Sequence, residues 1–285
     1  AMYATIATVV INTILDPLFI YGFDWGIRGA AIATIIAQVI SLLWQFKIFS
    51  NKDELLHFHR GIFRLRRKIV MDSLAIGMSP FLMNVCACAI VIIINNSLQN
   101  YGGDMAIGAY GIINRLLTLY VMIVLGLTMG MQPIVGYNFG AQKIDRVKQT
   151  LRLGIISGVV ITSSGFIICE FFPHAVSALF TDSDELIDLA VDGIRLAVLM
   201  FPFVGAQIVI GNFFQSIGKA KISIFLSLTR QLLYLLPCLL LFPNWWGLKG
   251  IWISMPVSDA LAFITAVVSL IIYIKKVSKQ HPIAE

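Results

Sequence analysis

Apolar runs of about twenty residues recur along this chain, separated by shorter stretches that gather the charges. In a bilayer every backbone N–H and C=O must be satisfied within its own element, so runs of this length predict spanning helices. The pattern gives eight of them, over residues 1–23, 28–49, 72–98, 106–136, 151–172, 187–217, 222–242 and 250–274. The expected fold class is therefore an all-α integral membrane protein. Composition strengthens that picture. The 285 residues are 58% hydrophobic, with a mean hydropathy of +0.87. Charged residues make up 13%, against about 25% in an ordinary soluble domain.

Charge placement then orients the chain. The formal net charge is +6, but the basic residues alternate between connections rather than forming one nucleic-acid-binding face. Lys47, Lys52, Arg60, Arg64, Arg66, Arg67 and Lys68 crowd one connection. Lys143, Arg146, Lys148 and Arg152 mark another, Lys219 and Lys221 the next alternate turn, and Lys275, Lys276 and Lys279 the tail. Residues 173–188 carry Asp182, Asp184, Glu185 and Asp188 and no Lys or Arg. The positive-inside rule places the 47–71 connection and the C-terminus in the cytoplasm and the acidic connection outside. A multi-pass protein of the plasma (inner) membrane is expected. Cys86, Cys88, Cys169 and Cys238 all fall within predicted helices, where small buried thiols are expected rather than a disulfide or zinc framework. No cleavable signal peptide is visible. The chain opens on "AMYATIATVV", already inside an apolar helix, which is the pattern of a truncated N-terminus.

An internal repeat gives the organisation. "WGIRG" (Trp25 to Gly29) recurs as "WGLKG" (Trp246 to Gly250), displaced by 221 residues, and Pro17 and Pro237 match within one residue of that offset. Each motif lies between two apolar helices, so the period is six helices and the halves are parallel repeats about an axis along the membrane normal. Residues 1–49 are then the last two helices of an N-terminal lobe. Residues 50–71 are a basic cytoplasmic linker, 72–276 a six-helix C-terminal lobe, and 277–285 a cytoplasmic tail. Glycines four apart, at Gly22/Gly26, Gly126/Gly130, Gly136/Gly140 and Gly154/Gly158, suit close helix contacts in lipid. Pro80, Pro133, Pro202 and Pro256 lie in or near spans and are candidates for kinks.

Few residues inside the spans carry chemistry. A carboxylate at mid-bilayer costs about 2.5–3.5 kcal/mol on insertion scales, so Asp16 is expected to face a cavity or a partner rather than lipid. Asn12 is one helical turn away on the same face. Together they are candidates for a proton or cation site, since a carboxylate with amide and hydroxyl oxygens around it can hold a hard cation such as sodium. Arg115 and Asp259 lie at similar depth from the outer ends of their helices and are expected to pair and lock helices together. Arg230, nearer the cytoplasmic end, suits Asp259 less well. Asn84, Asn114, Gln132 and Gln207, with Met83 and Phe203, are candidates for an adaptable amphipathic cavity. His57 and His59 sit in the basic connection and read as solvated loop. There is no P-loop, HExxH, GxSxG or aspartate-rich motif, so a membrane enzyme is not expected, and neither is a cofactor.

The stretches "NTILDPLFIYGFDWGIRGAAIATIIAQ", "GMQPIVGYNFGAQKIDRVKQTLRLG" and "FFQSIGKAK" resemble the multidrug and toxic compound extrusion family, MATE. The resemblance covers the whole chain as the family's helices five to twelve, with about the first four lacking. It implies a twelve-helix, two-lobe fold built as a 6+6 parallel repeat around a central cavity. It also implies export of organic, often cationic, drugs in exchange for Na⁺ or H⁺, by a monomer in contact with membrane lipids and with no nucleic-acid partner. In one branch of the family a cation site joins an Asn and an Asp four apart on helix five to a Thr on helix six, and to an Asp on helix one. The matching residues here are Asn12, Asp16 and Thr34, and the helix-one Asp would precede Ala1. Another branch uses acids on helices seven and ten. The matching positions, around Ala87 and Gly205, carry none, which moves the coupling role to Asp16. Two rivals remain at this level: a lipid-linked saccharide flippase of related fold, which would line its cavity with several cations, and a non-transporting membrane enzyme or scaffold.

Overall fold

The computed structural model describes residues 2–51 and 66–280. Most of the predicted linker, including His57 and His59, and the end of the tail lie outside the described residues. Every regular element among those described is helical. The chain divides into two compact units, Ala1–Leu74 and Ala75–Glu285.

In the first unit, α1 (Met2–Pro17) runs into a π-helical turn, Leu18–Gly22, and reverses into α2 (Gly26–Ser50). Pro17 has no N–H to donate and its ring crowds the preceding turn, so the ladder is disturbed at this point. The wider turn restores bonding one residue later, with Phe23 N–H donating to Leu18 O at 3.1 Å. Phe19, Phe23 and Trp25 cluster at the reversal in edge-on and tilted contacts, with centroids 5.4–5.6 Å apart, as aromatic residues do at a membrane–water boundary.

The second unit begins within α3 (Arg67–Gly140). This helix breaks at Gly103, whose φ of 64° and ψ of −162° are open to glycine alone. Both arms then contribute to one core, through Ile90, Ile94 and Leu98 before the break and Ala106, Tyr110 and Ile113 after it. α4 (Ile144–Phe171) and the short α5 (Pro173–Ala178) follow. The predicted span 187–217 is two helices, α6 (Asp184–Ala197) and α7 (Phe201–Ser216), bent by 56°. Pro202 is the cause: lacking an N–H, it leaves Val198 O to accept from Phe201 N–H instead, at 2.9 Å. α8 (Ala220–Leu228) passes through a second π-helical stretch, Thr229–Leu235, into α9 (Leu236–Trp246), again where a proline, Pro237, approaches. α10 (Leu248–Gln280) closes the chain. It carries helix four residues into the stretch expected to be tail.

Six of these helices are long and apolar enough to cross a membrane. The two arms of α3 and the bent α6–α7 pair bring the passes to those predicted from hydropathy. The chain is a multi-pass membrane protein. Its outward faces are apolar, with Met129, Phe171 and Ile272 all exposed, as lipid contact requires.

Packing within the second unit is closest between α4 and α7. A Cβ added at Gly205 would lie 2.3 Å from Gly158 O, so two backbones meet where neither has a side chain. Thr162, fully buried, reaches Pro202 O at 3.1 Å across the same contact. Two core clusters flank this crossing, one around Trp252, Phe201 and Leu98, the other around Phe214, Val135 and Leu226.

The two copies of the repeated motif have the same local structure. Gly26 and Gly247 have φ of 52° and 56°. A Cβ at Gly29 would lie 2.6 Å from Phe19 O, and one at Gly250 would lie 2.4 Å from Phe242 O. The aromatic cluster recurs too, as Phe242, Trp245 and Trp246.

Candidate functional site

The first candidate is the junction of α1 and α2. Because Asn12 and Asp16 are four apart, one helical turn puts both side chains on the face that meets α2. The Asn12 amide donates from Nδ2 to Asp16 Oδ1 at 3.1 Å and reaches Thr34 Oγ1 at 3.3 Å. Thr34 in turn donates to Ala30 O at 2.9 Å, leaving its lone pairs to accept. Asn12 and Asp16 are half-buried and Thr34 is exposed. The structure thus brings together the three residues expected at a cation site, two from successive turns of α1 and one from α2. It also explains their proximity. Gly29 lets α2 press against the carbonyl of Phe19, and Thr34 follows a little more than one turn later. The arrangement offers a carboxylate, a hydroxyl and an amide whose oxygen and nitrogen can exchange places by rotation.

The second candidate lies within the second unit, and here the predicted pairing is corrected. Asp259 pairs with Arg230, whose Nε donates to Oδ1 at 2.7 Å, and not with Arg115. Depth along the helix axis put Arg115 and Asp259 at one level, but azimuth decides contact. On the second arm of α3, Asn114 faces the cavity beside Asp259, and Arg115, one residue on and about 100° around the helix, is exposed. Arg115 makes no ion pair among the described residues. A second polar link ties the same π-helical stretch to α10, with Tyr234 Oη and Thr265 Oγ1 2.8 Å apart.

The residues expected to line one amphipathic cavity fall in several places. Asn114 borders a cavity of about 260 Å³ with Tyr110, Arg230, Gln231, Ser258 and Asp259. Gln132 donates to Asn212 Oδ1 at 3.4 Å, joining α3 to α7. Gln207 is buried on α7, and its Oε1 has no hydrogen-bond partner. Phe203 is exposed and packs on Phe263, centroids 4.9 Å apart. Asn84 is exposed on the first arm of α3, and the side chain of Met83 lies outside the described residues.

Three polar groups escaped the sequence reading. Gln231 Oε1, Glu170 Oε2 and Ser177 Oγ are buried without a hydrogen-bond partner. For Gln231 a signal existed, since Pro237 six residues later marks a disturbed helix in which side chains are re-aimed. Glu170 sits in the last turn of α4, where a charge reads as the ordinary end of a span.

The family model described as MatE matches residues 76–240. The chain is 26% identical over 274 residues to the multidrug export protein MepA of Staphylococcus saprophyticus, covering 96% of this chain and 60% of that protein. It is 26% identical over 278 residues to MepA of Staphylococcus aureus strain MSSA476, with the same coverage. The chain therefore spans about 60% of the length of these relatives. Among solved structures it resembles a multidrug resistance MATE family transporter of the MOP superfamily in outward-facing and inward-facing conformations. The TM-scores are 0.84 and 0.80 at 22% identity, with 98% of this chain covered in each and 63% and 64% of the respective transporter chains. At that identity the likeness is one of fold.

Proposed function

The chain belongs to the MatE family, and from that premise we propose that it serves a multidrug exporter of the plasma (inner) membrane. The exporter moves organic, often cationic, compounds by alternating access and is driven by Na⁺ or H⁺. It acts as a monomer, performs no enzymatic chemistry and keeps its C-terminus in the cytoplasm.

One observation carries the coupling: a single amide, Asn12, lies within hydrogen-bond reach of both Asp16 and Thr34. Its N–H stands where a cation would stand, between a carboxylate and a hydroxyl oxygen. An arriving Na⁺ would require the amide to turn its oxygen inward, making three oxygens for a hard cation. An arriving proton would instead neutralise the carboxylate that holds the amide. Turning the amide for Na⁺ breaks the Asn12–Thr34 bond between α1 and α2, and a proton weakens the Asn12–Asp16 bond that orients the amide toward it, beside the π-helical turn that follows Pro17. Exchange results only where ion and drug favour different conformations, and the rupture of an α1–α2 link upon ion binding is a difference of that kind.

The test is dye efflux from proteoliposomes carrying the protein in its full length, under imposed Na⁺ or pH gradients. Wild type should respond to one of the two gradients, and Asp16→Asn should lose that response while still binding dye. Equal gradient-driven efflux in both would remove Asp16 from coupling.

A further inference from the structure

The cavity beside Arg230 and Asp259 has no part in the coupling scheme above, and its walls state what they would accept. It is lined on two sides by α3, through Ala87, Ile90, Val91 and Ile94 on one arm and Tyr110, Asn114, Leu117 and Val121 on the other. The π-helical stretch, α10 and Ala197 at the end of α6 complete it. The first arm's side of the wall is aliphatic, and the polar groups lie on the second arm, the π-helical stretch and α10.

The ion pair there is unequally exposed. The Arg230 side chain is 37% accessible and that of Asp259 10%. Their contact runs through Nε alone, so it is not the forked, two-bond arrangement that would occupy the outer end of the guanidinium. Among the described residues the terminal nitrogens of Arg230 make no hydrogen bond. Asp259 is covered by its partner, and the charge that a guest meets is positive. Asn114 adds an amide with no partner among the described residues, and Tyr110 lines the same wall. Gln231 also lines the cavity, although its Oε1 is itself buried and unpartnered.

We propose that this cavity binds an apolar or aromatic compound bearing one oxyanion, a carboxylate or a phosphate, held by the free end of the Arg230 guanidinium and by Asn114. Its charge preference is the reverse of that expected for an exported organic cation. The inference stands on the second unit's own residues and does not depend on the coupling role of Asp16. Asp259 holds the arginine in place and limits the field the guest feels, which makes it a positioning residue. Two sources could supply such a group, a soluble aromatic carboxylate or the phosphate of a lipid headgroup.

The experiment uses the chain in phosphatidylcholine nanodiscs, with 2-naphthoate, 2-naphthyl phosphate and 2-naphthylmethylammonium as probes. Binding is read by quenching of tryptophan fluorescence, because Trp252 packs 6.4 Å from the Tyr110 ring. The anions should bind at least about tenfold more tightly than the ammonium, as a charge-assisted contact in a sheltered site requires. Asp259→Asn should tighten the anions further. The paired variant Arg230→Gln/Asp259→Asn should lose the preference while keeping its thermal transition. Val91→Trp, which fills the cavity from the aliphatic side formed by the first arm of α3, should abolish binding and covers the case in which the paired variant does not fold. Added phosphatidylglycerol displaces naphthoate if the resident is a lipid phosphate and leaves it in place if the resident is a soluble carboxylate. Equal or tighter binding of the ammonium overturns the proposal. So does wild-type naphthoate affinity in a folded paired variant or in Val91→Trp.

Discussion

Arg230 and Asp259 meet through one hydrogen bond of 2.7 Å, with the aspartate hidden and the arginine more than a third exposed. A covered carboxylate is costly to leave alone, whereas a partly solvated guanidinium is not. Arg230→Met should therefore destabilise the helical bundle by about 1–3 kcal/mol, less than the 3–5 kcal/mol of a fully buried pair, because solvent screens this one. Asp259→Leu should cost less than Arg230→Met. The two together should come within about 1 kcal/mol of wild type, since the apolar replacements fill the same space without a charge to desolvate. Denaturant unfolding of all four proteins in one detergent gives the coupling directly. Strict additivity would mean that the pair contributes nothing.

The α4–α7 crossing makes a second prediction. Gly205→Ala places a methyl 2.3 Å from Gly158 O and 2.6 Å from Thr162 Oγ1. Neither a backbone carbonyl nor a fully buried threonine can move far, so the helices must separate, at a cost of about 1–3 kcal/mol. Gly126→Ala, in another of the four-spaced glycine pairs, meets nothing within 4 Å and should be neutral or stabilising by about 0.5–1 kcal/mol through helix propensity alone. Thermal unfolding in detergent separates the two. A Gly205→Ala protein as stable as wild type would show that the crossing tolerates a wider spacing.

That contrast also marks how far the sequence could be read. Spacing flagged Gly126/Gly130 and Gly154/Gly158 alike, because spacing along a helix is local. Which face meets a neighbour is set by the whole bundle, and only Gly154 and Gly158 do so closely. The helices themselves were legible because apolar runs in lipid leave the backbone no alternative. The bend at Pro202 was blurred, since hydropathy averaged over 187–217 passes through it. Asn12 and Asp16 were legible as a pair because one helical turn dictates their contact. Thr34, 22 residues from Asn12 in sequence, came only from family resemblance, since its approach depends on how α2 packs against α1. The partner of Asp259 was misjudged for the related reason that depth can be counted along a chain and azimuth between helices cannot.

The repeated motif predicts matched sensitivity at sites 221 residues apart. Gly29→Ala and Gly250→Ala each drive a methyl into a preceding carbonyl, of Phe19 at 2.6 Å and Phe242 at 2.4 Å. Each should cost about 1–3 kcal/mol by overpacking. Because the two glycines lie in separate compact units, the costs should add in the double variant to within about 0.5 kcal/mol. Limited proteolysis of each variant should open cleavage near its own motif first. A loss at one site with none at the other would mean that the shared sequence does not carry a shared packing role.

At the α1–α2 junction the three polar residues should separate by role. Asp16→Asn removes the charge and abolishes ion-driven efflux. Thr34→Val keeps the shape of the side chain and loses one oxygen. It should weaken ion affinity by about ten- to a hundredfold, the range seen when a supporting ligand is lost, and leave the maximal rate intact at saturating ion. Asn12→Ala removes the amide that bridges Asp16 Oδ1 and Thr34 Oγ1. If Na⁺ is the coupling ion, this variant loses an oxygen and its Na⁺ affinity falls. If H⁺ is the coupling ion, the variant loses the link that proton binding would release, and pH-driven efflux falls with no Na⁺ dependence gained. Efflux measured against Na⁺ at fixed pH, and against pH without Na⁺, distinguishes the two. Wild-type dependence on both in Asn12→Ala would show that the bridge, though present, does not sense the ion.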